Sequence, residues 1–384
     1  MDKIRICRIA TVPFALLSYR KHIEKLQEYG CDITIVTSVD ENFETLKSFK
    51  VSNIKGISII RDISPLRDLI TLIKLFIFFR KNKFDIIHSN TPKAGLLAAL
   101  AGYFTNSLVI HTFTGQRWQT LSGPAKFVLK SLDRLVILLN HTCYTDSWSQ
   151  KDFLLSQGIG SEDRIKCIHK GGFAGVDIER FSKARFDLPL IKEQNNISSD
   201  DVVITFVGRI TRDKGINELI TAFLQLEQEI PNIKLLLVGP LEKEHKLESQ
   251  SMNAISTNKN ILTIGYTIEP EMYLAVSDIF CLPSHREGFG TVILESAAME
   301  IPSVGTNISG LCDAIIPEKT GLLVTKGNYQ ELAHALKTLI TNPKLRESMG
   351  IEARNRIELD FNLNLIANKN YEEYIQLLKN KKGL

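Results

Sequence analysis

Short runs rich in Ile, Val, Leu and Cys recur along the chain, separated by longer stretches in which apolar residues return every three or four positions. The first half carries strand patterns at residues 4–10, 32–38, 57–61, 85–90, 108–113, 142–146 and 164–169. Helical spacing is strongest at residues 65–81 and 125–139, where Leu, Ile and Phe alternate with Lys and Arg. After a break the pattern starts again, with strand patterns at residues 202–207, 234–238, 262–265, 279–283, 303–305 and 322–324. Strands alternating with helix-length segments predict parallel sheets wrapped by crossover helices. The break, residues 171–199, contains Gly171-Gly172, Gly175, Pro189 and Gln194-Asn195-Asn196. The expectation is an α/β chain of two tandem doubly wound, Rossmann-like domains, residues 1–185 and 186–360. Residues 361–384 form a last amphipathic helix, basic at Lys379, Lys381 and Lys382, that packs on either domain. Ligands of such sheets bind beyond the carboxyl ends of the strands, so a cleft between the domains is the expected site.

Length agrees, since 384 residues suit two domains. The overall charge of +4 hides an asymmetry: residues 1–190 hold 27 Lys and Arg against 18 Asp and Glu, the remainder 20 against 25. A basic first half fits an anionic membrane surface or a phosphorylated substrate, while the acidic second half speaks against a nucleic-acid partner. Six scattered cysteines without a C-x-x-C pair suit reduced thiols in a cytoplasmic protein, most of them packed in strands. The start, Met1-Asp2-Lys3-Ile4-Arg5, has the charge of an export signal, but Pro13 breaks the apolar stretch after it. The most membrane-like run, residues 69–79, contains Lys74 and falls well short of the roughly 20 residues a span needs.

Two segments of the second half could carry chemistry. In Pro283-Ser284-His285-Arg286-Glu287-Gly288-Phe289-Gly290-Thr291-Val292-Ile293-Leu294-Glu295 an apolar strand ends in a polar loop and a helix starts near Gly290. Glycines let backbone approach a ligand, and free N–H groups at a helix start favour a phosphate. Glu287 and Glu295, about two helical turns apart if the helix is regular, could hold hydroxyls at two depths of one pocket. A Gly-containing turn beside a surface Glu would read the same way. In Phe206-Val207-Gly208-Arg209-Ile210-Thr211-Arg212-Asp213-Lys214-Gly215, Arg209 and Lys214 follow a strand and could face a diphosphate, although cations after a strand are commonly just solvated.

Together, G-R-x-x-x-x-K-G and P-S-x-x-E-G-F-G-x-x-x-x-E resemble the donor-site pattern of glycosyltransferase family 4, retaining enzymes of the GT-B fold. The resemblance extends over nearly the whole chain through Ile110-His111-Thr112-Phe113-Thr114-Gly115-Gln116, Asp146-Ser147-Trp148-Ser149-Gln150 and Gly175-Val176-Asp177. These segments are similar to the capsule and O-antigen branch, which extends sugars on undecaprenyl diphosphate. The resemblance implies that Arg209 and Lys214 bind the donor diphosphate, with Gly208 beside them. It places Glu295 on the ribose, Glu287 on the transferred sugar, the Phe289-Gly290-Thr291 backbone and Val292 around phosphate and sugar, and Gly265-Tyr266 near the base. It implies a UDP-sugar donor carrying an N-acetylhexosamine or related hexose, a lipid-linked sugar acceptor, no cofactor beyond these substrates, and work at the inner leaflet of the plasma membrane. No protein nucleophile is assigned.

This chain departs from the wider family at two places. Ala10-Thr11-Val12-Pro13-Phe14 has no Gly after the first strand, and Thr114 rather than His precedes Gly115, with His111 three residues earlier. The acceptor side is therefore expected around His111, Thr114, Gly115, Lys93 and His88, although both histidines equally suit buried strand ends. No D-x-D motif occurs and the eight histidines are scattered, so no metal site is expected. The basic helical segments suit anionic lipid as well as the covering of a sheet. A nucleotide-sugar 2-epimerase of the same fold, acting without acceptor, is the alternative enzyme.

Overall fold

The computed structural model describes residues 3–62, 64–242 and 247–382; the first two and last two residues of the expected N-terminal and C-terminal segments lie outside it. The described chain divides into two compact units, Val176–Asn362 forming the second, and the residues before and after it together forming the first. The break in the sequence pattern brackets this division, which falls before Val176 instead of after residue 185. Val176 bridges Asn362, and Phe181 and Ile191 are buried in the second unit's core, so the chain passes into the second unit directly after Gly175.

The first unit holds seven parallel strands, β1 (Ile4–Ile9), β2 (Cys31–Thr37), β3 (Asn53–Gly56), β4 (Ile86–Ser89), β5 (Leu108–Phe113), β6 (Thr142–Thr145) and β7 (Ile165–Cys167). Their order is β3-β2-β1-β4-β5-β6-β7. Neighbouring residues send side chains to opposite faces. Ile6, Ile35, Ile86 and Ile110 enter the core shared with the Arg20–Glu28 and Leu363–Lys382 helices. Cys7, Val36, Ile87 and Val109 enter the core under the Pro65–Asn82 and Pro92–Tyr103 helices. The Gly123–Leu139 helix continues that second layer, burying Val136 and Ile137.

The third strand is not the expected 57–61. The ladder to β2 runs from Thr34↔Asn53 to Thr37↔Gly56, and the more apolar Ile57 and Ile59 leave it to pack beneath the Pro65–Asn82 helix. The Ser38 hydroxyl then substitutes for a backbone partner, bonding both Ile59 N and Ile59 O. The last helix begins at Leu363, because Phe361, at the end of the π-turn Ile357–Phe361, is fully buried in the second unit's core. This helix belongs to the first unit, where its Tyr374 is buried.

The second unit has six parallel strands, β8 (Val202–Val207), β9 (Ile233–Val238), β10 (Ile261–Gly265), β11 (Ile279–Leu282), β12 (Ser303–Thr306) and β13 (Gly321–Val324). Their order is β10-β9-β8-β11-β12-β13. In each sheet the order reverses at one place, between β1 and β4 and between β8 and β11. Loops leaving the carboxyl ends of such a pair diverge and open a crevice for ligand. None of the six cysteines is in a disulfide; five lie buried in strands and Cys312 lies in the short Leu311–Ala314 helix. Among the described residues no helix is long and apolar enough to cross a membrane.

Candidate active site

Both motifs of the second half stand at its reversal point. Arg209 and Lys214 leave the end of β8, and residues 283–290 leave the end of β11. Backbone contacts lock the two loops together. A side chain at Gly215, where φ is +74°, would put its Cβ 2.0 Å from Pro283 O, and His285 N donates to Asp213 O at 2.9 Å. Lys214 Nζ lies 2.5 Å from Glu287 Oε1, and the Ser284 hydroxyl donates to the same oxygen at 2.7 Å. Arg209 Nη1 meets Glu242 Oε2 at 2.9 Å, and Arg286 Nη2 reaches Asp213 Oδ2 at 3.4 Å. Burial alone would raise the Asp213 carboxyl; the Thr211 hydroxyl and the charges of Arg209, Arg286 and Lys214 outweigh it and hold the group below the usual range. Three cations thus converge on one loop pair in front of a helix start.

That helix is Thr291–Ala298, entered through Gly290 at φ +80°. Glu295 is its fifth residue, little more than one turn in, so the two-turn separation from Glu287 does not hold: part of that stretch is loop. Enclosure by protein pushes the Glu295 carboxyl up to about 7; Arg180 opposes this and Glu271 adds to it. Arg180 is itself clamped, donating from Nε and Nη2 to the two Glu271 oxygens at 2.8 Å each. Phe289 turns its ring into the core against Phe361, centroids 5.5 Å apart, leaving only its backbone to the loop. Thr291 and Val292 are partly open at the helix start. Gly208 ends β8 at φ +149°, with Gly239 pressed against its carbonyl. Gly265 ends β10 at φ +76°, followed by the half-exposed Tyr266.

The acceptor-side candidates lie in the first unit and are mostly occupied there. His88 is buried; Arg8 Nη1, always a donor, lies 2.8 Å from its Nδ1, so Nε2–H donates to Thr112 Oγ1 at 2.7 Å. Burial, then the Arg8 charge, hold its pKa far below the ordinary range, and the ring is neutral. His111 Nδ1 meets Ser89 Oγ at 2.8 Å, and burial lowers its pKa to about 3. Lys93 Nζ bonds Asp68 Oδ2 at 2.5 Å and Asp62 O at 3.0 Å. Thr114, exposed, and Gly115, at φ +113°, stand beyond the end of β5. Of the five, Thr114 is the exposed one, its hydroxyl reaching Asn90 O at 3.4 Å, and Gly115 beside it is partly open.

Residues 188–356 match the family described as glycosyl transferases group 1, and residues 19–180 match glycosyltransferase family 4. A capsular polysaccharide biosynthesis glycosyltransferase of Staphylococcus aureus, CapM, is 31% identical over 385 positions that cover 100% of both chains. The chain belongs to glycosyltransferase family 4. The family 4 enzyme is also 27% identical, over 99% of both chains, to an Escherichia coli UDP-Gal:alpha-D-GlcNAc-diphosphoundecaprenol alpha-1,3-galactosyltransferase. The solved structure of Anabaena Alr3699/HepE in complex with UDP matches with TM-score 0.80 and 20% identity, over 97% of this chain and 100% of that one. That likeness shows the fold, and the pair of parallel sheets is the GT-B architecture.

Sequence reasoning missed several residues of this glycosyltransferase. Arg286 and Asp213 sit inside the quoted motifs but drew no role, and the Arg180–Glu271 clamp joins residues far apart in sequence. Arg8 is fully buried in β1 without a carboxylate partner among the described residues; its guanidinium lies 5.3 Å from the Tyr19 ring and 5.5 Å from that of Phe173. Its signal was ambiguous, because Ile4–Ile9 carries two arginines, of which Arg5 is exposed and Arg8 buried. In the Asp146–Gln150 segment Ser147 caps the Trp148–Ser156 helix, Gln150 Oε1 accepts from Asp146 N at 3.1 Å, and Gln150 Nε2 donates to Gln116 Oε1 at 3.2 Å.

Proposed function

We propose that this family 4 glycosyltransferase moves a sugar, an N-acetylhexosamine or related hexose, from a UDP-sugar to a saccharide carried on a polyprenyl diphosphate. The product is a building block of a cell-surface polysaccharide of the capsule or O-antigen kind. The observation that carries the reading is the convergence of Arg209, Lys214 and Arg286 around Asp213 on the two loops that precede the Thr291 helix, with Glu287 on Lys214. A nucleoside diphosphate is the ligand such a locus suits, because its charge is met by cations and by free backbone N–H groups. The S. aureus and E. coli relatives support the polysaccharide and the lipid-linked acceptor, and the fold neighbour holds UDP.

On this reading Arg209 and Lys214 take the diphosphate, moving from Glu242 and Glu287 to the phosphate oxygens. The bond between the sugar's anomeric carbon and the diphosphate breaks, and their charge stabilises the departing UDP. The acceptor hydroxyl bonds the same carbon on the same face, its proton passing to the departing oxygen, so configuration is retained. Glu287 holds sugar hydroxyls, Glu295 the ribose, the Phe289-Gly290-Thr291 backbone and Val292 the phosphate and sugar, and Gly265-Tyr266 the base. Thr114 and Gly115 face the acceptor. A lipid carrier places the reaction at the inner leaflet of the plasma membrane.

The test is UDP release from a panel of UDP-, GDP- and ADP-sugars, with and without a short-chain prenyl-diphosphate N-acetylhexosamine, for wild type and Glu295→Ala. Acceptor-dependent UDP release that the substitution abolishes supports the reading. Acceptor-independent epimerisation of UDP-N-acetylglucosamine overturns it in favour of a 2-epimerase.

A further inference from the structure

The Pro65–Asn82 helix is apolar on two sides, and the sheet uses only one. Its buried residues are Thr71, Leu75 and Phe79. Leu66, Leu69, Ile70, Ile73 and Ile77, spaced as one stripe of a helix, are 50% to 79% exposed on the opposite side. Arg67, Lys74 and Lys81, seven residues apart, run along one flank of that stripe, and Arg80 lies on the other. The Gly123–Leu139 helix, joined to it through the Pro92–Tyr103 helix on the same face of the sheet, repeats the arrangement. Phe127, Val128 and Leu138 are exposed there, beside Lys126, Lys130 and Arg134.

The acidic groups of these two helices are spent. Asp68 is held by Lys93, and the buried Asp133 accepts from Trp118 Nε1 at 2.7 Å. The outer sides of the two helices therefore offer apolar side chains, and the Pro65–Asn82 helix adds the exposed Arg67, Lys74, Arg80 and Lys81, which have no acidic partner among the described residues; Lys130 and Arg134 of the other helix are held by Gln157 Oε1 and Gly158 O. We infer that this face of the first unit is the surface by which the enzyme docks on an anionic lipid bilayer. The apolar stripe enters the headgroup and acyl boundary, and the Arg and Lys stems lie along it with their heads among lipid phosphates. A second copy of the chain is the wrong occupant, because a two-fold contact through this face would bring two surfaces of the same positive charge together. The inference rests on the reading of the acceptor as lipid-linked, and it gives that reading its place on the molecule.

The experiment is co-sedimentation of the full chain with vesicles of phosphatidylglycerol and phosphatidylcholine, or of phosphatidylcholine alone, without acceptor, at low and high salt. Two variants are compared, Leu69→Glu/Ile73→Glu and Arg67→Gln/Lys74→Gln/Lys81→Gln. All five positions are exposed, so an unchanged thermal transition certifies the folds. Wild type is expected to partition at least tenfold more strongly to anionic than to neutral vesicles. The first variant should lose about tenfold on anionic vesicles, and the second should lose the preference for anionic lipid. Equal binding by wild type and both variants, or no sedimentation of wild type at low salt, overturns the inference. So does a concentration-dependent dimer that Leu69→Glu/Ile73→Glu dissolves while vesicle binding is absent. Transfer to the short-chain acceptor is measured in parallel. Retained transfer without vesicle binding refutes the docking surface alone, and vesicle binding without transfer refutes the acceptor reading alone.

Discussion

Lys214→Met separates what Lys214 does for the fold from what it does for the donor. In the unliganded enzyme its ammonium sits 2.5 Å from Glu287 Oε1, with the side chains 19% and 13% exposed. Removing one partner of a fully buried pair costs about 3–5 kcal/mol, because the other charge is stranded. Here both groups keep some water and the Ser284 hydroxyl still donates to Glu287, so about 2 kcal/mol is expected. For a unit of this size that is a fall of roughly 4–8 °C in its thermal midpoint. The activity loss should be larger: withdrawing one positioned charge from a developing anion typically lowers the rate about 100- to 1000-fold. Lys214→Met/Glu287→Met removes both charges and should return most of the stability while leaving UDP release as low as in the single variant. Thermal unfolding and acceptor-dependent UDP release, read on the four proteins of this cycle, decide the matter. Full UDP release by Lys214→Met at limiting donor refutes a diphosphate role. A midpoint unchanged in Lys214→Met refutes the ion-pair argument.

The raised Glu295 carboxyl makes the second unit less stable as pH rises. The folded group keeps its proton up to about 7 while the unfolded one loses it at about 4.5, so the advantage, at most about 3 kcal/mol, is complete below 4.5 and gone above 7. Hydrogen exchange of the Thr291–Ala298 amides against pH should show the slope in wild type and a flat line in Glu295→Gln. The first unit holds four histidines lowered by burial, His22, His88, His111 and His141, against two raised carboxyls, Asp133 to about 6 and Asp146 to about 7. The histidines contribute stability above their unfolded value that is lost as pH falls, and they outnumber the acids, whose contribution runs the other way. At about 1.4 kcal/mol per group per pH unit, stability should peak near pH 6 in urea unfolding followed by fluorescence of Trp118 and Trp148; a monotonic rise to pH 8 refutes the count. Gly215→Ala should unfold or severely destabilise the second unit, since its Cβ would meet Pro283 O. Gly265→Ala, at a similar φ with open space around it, should cost only about 1–2 kcal/mol of backbone strain. Equal melting of the two variants refutes the close-approach argument.

The candidate site of the second unit was legible because its parts are local in sequence. A strand end, a glycine that permits a close approach, a cation and a helix start follow one another within about a dozen residues, so spacing alone puts Arg209 with Lys214 and Glu287 with Gly290. Even the meeting of the two loops follows from strand order, once β8 and β11 are read as neighbours at the reversal. The expected edge strand 57–61 failed for a related reason: apolarity marks burial, and Ile57 and Ile59 are buried by a helix, while the less apolar 53–56 makes the ladder. The first unit's polar interior was hidden because its contacts join positions far apart. Arg8 meets His88 and Tyr374, and Tyr144 meets Glu373 at 2.8 Å, pairs that no periodicity links.

The Pro65–Asn82 helix shows where periodicity has a sharper limit. Apolar residues lie on two of its sides, and a hydrophobic period says that a side is apolar without saying which side a sheet takes. Packing chose the side of Thr71, Leu75 and Phe79, whose spacing of four matches a ridge that fits between the helices and strands below. The side left over is the one whose flank carries Arg67, Lys74 and Lys81 at intervals of seven. A helix meant only to cover the sheet would gain nothing from Leu66, Leu69, Ile70, Ile73 and Ile77 in water, where polar residues serve solubility better. Five apolar residues kept on the outer side, flanked by cations and with the helix's own Asp68 already paired, are what a second, anionic and apolar surface would require. On the docking proposal the sheet-covering and membrane readings of this segment are not alternatives, because each would account for a different side of the same helix.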